Sequence, residues 1–501
     1  MLLCQLIWLS GCQSSTENEA IKRGEILAKM KCAGCHLLPG PELLDKKTWR
    51  EGVLPAMAAQ FGIELLQGNM YLNTPNSTLS NKDWLRIVNY YETLAPDSLT
   101  KPVVKHSFLN DWYVFKLKQP YWDSSQVAST LMTVINPAEK AIYTSNLTNP
   151  GLYQWNKNLK PKLITALTSS AVDITFNKTS DPEKGVITCM GGMQALDVTK
   201  GDVISFVQNE NSYFKSTIGA DFIRPIQSRP ADFNKDGLTD YVVCSFGHNK
   251  GGLFLLQQLP DKTFLKIPIL EVPGATQTVI DDFNHDGWPD IMALFAHGDE
   301  GIWLFTNNKE GGFETKNILR FPPVYGSSSF QIIDMNQDGK PDIVYTAGDN
   351  SDYSRILKPY HGLYIFLNQG DFRTMDIRFE KSYFYPINGC TKAIAADIDQ
   401  DGDIDIASIA FFADFKNNQP ETFICFENNS DRTRKTLSFK PHLLPISKNG
   451  RWICMDLNDY DGDGDEDVVL GNYSKGFMNQ ENFKPDWDIH TPFVILENTI
   501  K

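Results

Sequence analysis

The sequence predicts a multidomain chain, a small all-α domain followed by an all-β seven-bladed propeller with acidic loops. Three observations carry that expectation. The length of 501 residues exceeds one ordinary domain. An acidic nine-residue loop recurs five times, starting at Asp232, Asp282, Asp334, Asp397 and Asp459, at intervals of 50–63 residues. Ahead of those repeats, residues 19–30, residues 46–61 and a stretch from Ser80 through Tyr91 read as helices.

Composition narrows the class. Apolar residues make up 42% and charged residues 22%, as in a soluble globular protein. Sixty-one acidic against 47 basic residues leave a net charge of −14, which argues against a nucleic-acid partner. Much of that acidity sits in the repeated loops, which points to bound cations rather than a bare anionic surface. Of nine cysteines, Cys189, Cys244, Cys390, Cys425 and Cys454 lie in or beside apolar runs and read as core.

Met1 to Gly11 is apolar and ends Leu9-Ser10-Gly11-Cys12. The run is too short to cross a bilayer as a mature helix. It resembles a bacterial lipobox, which implies a signal peptide over residues 1–12, cleavage before Cys12 and acylation of that cysteine. No Lys or Arg precedes the run, a departure that leaves the natural start of the chain open. Residues 13–18 are polar and read as a tether. Acylation would hold the protein on a membrane surface outside the cytoplasm, in the periplasm or at the cell surface.

Residues 19–96 form the expected helical domain. Lys31-Cys32-Ala33-Gly34-Cys35-His36 carries two thiols spaced C-x-x-C and followed at once by His. That is the pattern of covalent haem attachment: each thiol adds to a vinyl group, and the His sits under the iron. A redox C-x-x-C needs no His there. A zinc site wants a second ligand pair, and the next cysteine is Cys189. Cys32, Cys35 and His36 are therefore expected to hold one haem c. Its sixth ligand is Met57 or Met70, with Met57 favoured; core packing and a five-coordinate iron are the competing readings for both. Trp49, Val53, Leu54 and Met57 lie near one face of the 46–61 stretch, where Pro55 is expected to kink or restart the helix. Ser80 is a plausible N-cap for a closing helix through Trp84, Ile87, Val88 and Tyr91. The helix, motif, loop and closing helix together resemble a class I cytochrome c domain.

Residues 97–128 read as a linker and the strand leading into the propeller, which occupies residues 129–501. The five loops place oxygens at positions one, three, five and nine. These are Asp232, Asn234, Asp236 and Asp240; Asp282, Asn284, Asp286 and Asp290; Asp334, Asn336, Asp338 and Asp342; Asp397, Asp399, Asp401 and Asp405; and Asp459, Asp461, Asp463 and Asp467. Such oxygens converge on a hard divalent cation when the loop curls, and the Gly at position six supplies the permissive backbone, so about five Ca2+ ions are expected. No Glu follows at position twelve and no helix follows the loop, which excludes an EF-hand. Each loop runs into a strand, such as Ile291-Met292-Ala293, and a second strand follows, such as Gly301-Ile302-Trp303-Leu304-Phe305. Two degraded copies lie upstream, around Thr133–Tyr153 and Ala171–Leu196, which brings the blades to seven.

These loops and strands resemble the FG-GAP/VCBS repeat family of integrin α-type calcium propellers. The resemblance implies structural ions and a docking or recognition scaffold. The segments Gly348–Tyr353 and Lys358–Gly362 exceed what a blade turn needs and are candidates for a sugar or polar-substrate site, set against a hydrogen-bonded turn. His248 and His297 are weaker candidates of the same kind. The whole reads as a lipid-anchored electron-transfer protein whose partners are a redox protein or membrane electron carrier, with a possible carbohydrate or protein ligand on the propeller. Two rival readings remain, an oxidoreductase that passes electrons to the haem and an adhesin with an accessory haem domain. No nucleotide or quinone-cofactor motif is found in the propeller, so no catalytic residue is assigned.

Overall fold

A computed structural model describes residues 6–67, 70–100, 114–121, 125–177, 183–194, 196–209, 212–351, 354–431, 436–476, 480 and 483–500. The chain divides into two compact units. One holds residues 1–103 with 321–325 and 350–360; the other holds residues 104–320, 326–349 and 361–501.

The first unit opens with helix α1 (Leu6–Lys31), which continues through residues 13–18, so the expected tether is helical backbone. No helix among the described residues is long and apolar enough to cross a membrane. The 46–61 stretch is not one kinked helix. It runs as a short turn at Lys46–Thr48, a wide π-type turn at Trp49–Val53, and helix α2 (Leu54–Gln60). The reason lies in Pro55, which has no N–H to donate back along a regular helix. In the wide turn Leu54 N–H reaches back five residues to the Trp49 carbonyl, and Pro55 falls in the first turn of α2, where a missing donor costs little. The closing helix α3 (Asn81–Leu94) starts as expected, with Ser80 Oγ accepting from Asp83 N–H at 3.1 Å.

Trp49, Leu54, Ala58, Ile63, Trp84, Ile87 and Tyr91 form this unit's buried core. The polar ends of two of its rings are satisfied on backbone, Trp49 Nε1 on the Pro41 carbonyl (2.8 Å) and Tyr91 Oη on the Pro39 carbonyl (2.9 Å). A hairpin of β1 (Ile63–Leu66) and β2 (Met70–Asn73), absent from the sequence expectation, follows α2.

The second unit contains seven four-stranded antiparallel sheets, the seven blades anticipated from five repeats and two degraded copies. Blades 1 to 6 cover residues 130–166, 171–223, 225–270, 275–320, 327–386 and 390–443. Blade 7 combines three strands within 452–498 with Phe115–Lys118, which supplies its fourth strand. Second strands such as Asp290–Phe295 and Asp342–Ala347 are buried at every position, which is why they read as unbroken apolar runs. Where blade 7 meets blade 1, Trp155 packs edge-on against Phe493 at 4.9 Å.

The first strands are stitched to one another by a rule invisible in hydropathy. A polar side chain on one blade's first strand accepts from a backbone N–H on the next. The pairs are Asp456 with Ile135, Asp173 with Ser228, Gln227 with Thr278, Gln277 with Phe330, and Gln331 with Ala395, at 2.6–3.2 Å. Gln331 also donates to the Ala395 carbonyl, so its amide imitates a strand partner.

Candidate functional site: the acidic loops and the C-x-x-C-H turn

All five acidic loops join the first and second strands of blades 3 to 7. Their backbone is uniform. Position four is left-handed in each: Lys235, His285, Gln337 and Gln400 at φ 56–59°, and Gly462 at 83°. The sixth-position glycines lie at φ 82–98°. A Cβ at Gly237, Gly339, Gly402 or Gly464 would meet nothing within 4 Å, so the requirement is conformational rather than spatial.

Backbone amides preform the cup. Asp232 accepts from the N–H groups of Asp236 (3.1 Å) and Gly237 (2.9 Å), and Asp282 and Asp334 repeat the arrangement. In these three loops the position-three Asn donates to the position-five Asp: Asn234 to Asp236, Asn284 to Asp286 and Asn336 to Asp338, at 2.9–3.2 Å. Lys309 adds an ion pair to Asp286 at 3.1 Å.

The loops of blades 6 and 7 differ. Asp397, Asp399 and Asp401 can each bring one oxygen within 4.8 Å of the others, and so can Asp459, Asp461 and Asp463. Asp397 Oδ1 and Asp461 Oδ1 are buried with no hydrogen-bond partner. Converging carboxylates with orphaned oxygens suit a hard divalent cation, and the donor set fits Ca2+.

The ninth-position aspartates do a job the sequence did not reveal. Both oxygens of each are taken by backbone. In blade 6, Asp405 Oδ1 accepts from Asn428 N–H (2.8 Å) and Oδ2 from Ile398 (3.2 Å) and Asp399 (3.3 Å). Asp240, Asp290, Asp342 and Asp467 repeat this with Gln258, Asn307, Asn368 and Asn498. Each therefore clamps its loop to the end of the blade's third strand. Burial pushes their carboxyls up, Asp342 and Asp467 to about 6 and Asp405 to about 7. The Asn side chains extend the clamp to the preceding blade, as Asn307 donates to the Phe233 carbonyl (2.9 Å) and Asn498 to the Ile398 carbonyl (2.7 Å). Asp405→Ala leaves two buried donors and one half-buried donor unmet and is expected to cost about 3–5 kcal/mol without added cation. Asp401→Ala, at an exposed position, is expected to change stability in chelator by less than about 1 kcal/mol. Urea unfolding in EGTA separates the two roles.

Neighbouring loops are also linked. Gln337 donates to the Gly402 carbonyl (2.7 Å), Gln400 to the Gly464 carbonyl (3.1 Å), and Lys235 Nζ lies 4.5 Å from the Trp288 ring centroid.

In the first unit, α1 delivers Cys32 into a tight turn, with Cys35 N–H on the Cys32 carbonyl (3.3 Å). Both thiols are free; burial and then Cys35 push Cys32 up to about 11. His36 Nδ1 lies 3.0 Å from the Leu37 carbonyl, which can only accept. Nδ1 is therefore the protonated nitrogen and Nε2 keeps its lone pair for a metal. Ile26 and Met30 on α1, Leu37 beside the motif, and Leu65, Leu66, Met70 and Leu72 on the hairpin are 38–69% exposed. Two thiols and an imidazole with its Nε2 turned free of the backbone are the donor set of a covalently held haem. Met57 is half-buried against the unit's core, while Met70 is 58% exposed on β2. Cys12 lies on the helical backbone of α1.

The 348–362 segment is mostly closed. Asn350 and Lys358 are 1% and 2% exposed, and Asn350 donates to the Ile356 carbonyl at 2.6 Å. Tyr360 donates to the Leu43 carbonyl (2.9 Å) and stacks on Tyr325 at 4.7 Å, within the first unit. Asp352 and Tyr353 lie outside the described residues. His248 is fixed by its backbone: its N–H and those of Asn249 and Lys250 all donate to Asp197 Oδ1 at 2.9–3.1 Å. The His297 ring packs edge-on to Phe246 at 4.8 Å. Cys189, Cys244, Cys390 and Cys425 are fully buried as expected, Cys454 lies against Thr133, and burial holds all five as thiols.

Fold and loops define the second unit as a seven-bladed β-propeller with FG-GAP repeats. The profile described as "FG-GAP-like repeat" matches residues 232–293 and 282–345. Curated relatives include a T-cell immunomodulatory protein homolog of Plasmodium falciparum (isolate 3D7), 33% identical over 138 residues, covering 26% of this chain and 18% of that protein. The corresponding protein of Plasmodium yoelii yoelii is 29% identical over 136 residues, covering 25% and 18%. The matches thus take in less than a fifth of those relatives' length. Among solved structures, an ancestral GH74 enzyme aligns over 76% of this chain and 51% of its own at 8% identity, with a TM-score of 0.46. At that level the likeness says nothing about activity.

Proposed function

We propose that the protein is a lipid-anchored, extracytoplasmic electron-transfer protein, in which a monohaem cytochrome c domain (residues 19–96) is joined to a calcium-stabilised propeller (residues 129–501) that docks a partner or recognises a ligand. The observation that carries the reading is the C-x-x-C-H turn, with its two free thiols and His36 Nδ1 tied to a carbonyl. Cys32 and Cys35 would hold haem c through thioethers and His36 through Nε2, and Met57 through its sulfur. The group supplies reversible one-electron transfer between Fe(II) and Fe(III). The chain's own residues set its potential by the axial donor and by how far Ile26, Leu37 and the hairpin keep water out. Cys12 would carry the lipid. The propeller side of the reading rests on the FG-GAP repeats, whose scaffold suits ligand binding or docking.

Absorption spectra of protein made with haem-maturation machinery, oxidised and dithionite-reduced, test the reading. A sharp c-type α-band is expected, with a weak sulfur-to-iron band at the red edge when oxidised. Met57→Ala is expected to abolish that band and Met70→Ala to leave it; the reverse would move the ligand to the hairpin. A high-spin spectrum that shifts with small ligands would favour an oxidoreductase over simple electron transfer. Absence of covalent haem in the wild-type chain would end the electron-transfer reading.

A further inference from the structure

The inference rests on the reading of the acidic loops as calcium sites, and it starts from a buried, unpartnered carboxylate at position seven of the blade 7 loop. Position seven is Leu238, Trp288 and Lys340 in the first three loops and Asp403 in the fourth; in the fifth it is Asp465. Asp465 is 3% exposed, and neither carboxylate oxygen has a hydrogen-bond partner. The Asp463 carboxylate is its neighbour, and the oxygens of Asp463, Asp459 and Asp461 come within 4.8 Å of one another. Asp461 Oδ1 is buried and unpartnered beside it. No ion pair among the described residues reaches Asp459, Asp461, Asp463 or Asp465. Two ammonium groups lie nearby: Lys140 Nζ donates to the Asp461 carbonyl rather than to a carboxylate (3.0 Å), and Lys118 acts on the Asp461 carboxyl only through its charge.

A buried carboxylate with neither amide nor cation against it is costly unless a counter-charge arrives. Loops 1 to 3 have no such debt, because their position-three Asn donates inside the cup. We propose that Asp465 is a side-chain ligand to a divalent cation in the blade 7 loop, and that this loop is the propeller's tightest calcium site. Position seven of such a loop otherwise offers only its backbone carbonyl to an ion; a carboxylate there adds charge and a further oxygen. Affinity in these sites follows ligand charge and rigidity, and Asp467 already anchors the loop through Tyr460 and Asn498 N–H groups, both at 2.8 Å.

The test uses the full chain after chelation and dialysis. Calorimetric titration with Ca2+ should resolve one site at least tenfold tighter than the rest. Terbium luminescence excited through Tyr460, which lies inside the loop, should saturate with that first site. Asp465→Asn, which keeps size and shape, is expected to erase the tenfold gap and to melt in EGTA at or above the wild-type temperature, because a buried charge is gone. A tight class unchanged in Asp465→Asn overturns the proposal. So does a variant that melts lower in EGTA while keeping the full calcium-induced shift, since Asp465 would then be a protonated structural acid. A wild type with five equivalent sites refutes it without recourse to any variant. A wild type that binds no calcium removes the underlying reading as well, and the two failures are thereby told apart.

Discussion

Stripping divalent cations with EGTA is expected to lower the melting temperature of the propeller by about 15 °C. An ion at a hundred times its dissociation constant contributes about 2.7 kcal/mol per site, so five sites supply about 13 kcal/mol. A unit of this length unfolds with an entropy of about 0.8 kcal/mol/K, which converts that loss to about 15 °C. Two of the loops hold carboxylates within 4.8 Å of one another, so chelation also restores their mutual repulsion. The pH dependence should change sign with the ion. Asp342, Asp405 and Asp467 have folded values of about 6–7, above those of an unfolded chain. Between about pH 4 and pH 7 the calcium-free folded state therefore binds more protons than the unfolded state, and its stability falls as pH rises through that window. A bound cation holds the cluster ionised and reverses the slope. Scanning calorimetry at pH 5 and pH 7.5, with and without EGTA, reads both effects; a shift under about 3 °C at pH 7.5 would mean the loops bind no structural ion.

Replacing Cys32 and Cys35 together with Ala is expected to abolish covalent haem completely, read as loss of haem stain on a denaturing gel. Single replacements should leave one thioether and a weakened stain. The double variant should also unfold more readily than the wild type. Seven apolar side chains on α1, beside the motif and on the hairpin are 38–69% exposed. Covering about 200 Å2 of such surface contributes about 5 kcal/mol, a large share of a small domain's stability. Haem retained on the double variant would exclude attachment through this motif.

How much of this was legible in the sequence differs by element. The loops were read residue by residue because their chemistry is local: an Asp or Asn at every second position and a glycine at φ 82–98° leave a fixed spacing. The blade count followed from the period. The clamping role of the ninth-position aspartates was not legible, since an Asp that accepts two backbone amides and an Asp that faces an ion look alike in one dimension. The partner signal was present, an Asn or Gln ending each third strand (Gln258, Asn307, Asn368, Asn428, Asn498), but its meaning depends on contacts across the sheet. The stitching glutamines Gln227, Gln277 and Gln331 were missed for the same reason: their partners lie 51–64 residues away on the next blade. Pro55 was recognised as a disruption, yet the wide turn that absorbs it is set by the Trp49 carbonyl one turn upstream. The β1–β2 hairpin gave no signal because its strands are four residues each and its pattern is mostly exposed.

The strand that completes blade 7 has a consequence for the chain as it is made. Val114, at its edge, is joined to Thr499 by hydrogen bonds across a separation of 385 residues. At about 5–20 residues per second, the ribosome releases the strand's partners on the order of 20–80 s after the strand itself. Throughout that interval Phe115–Lys118 is an orphan edge, and the six blades before the last must hold their order in an open arc. Every second residue of that strand is a lysine, Lys116 and Lys118, and charged residues of this kind discourage an open edge from pairing with another chain. The ring is thus shut last, by the propeller strand that was made first.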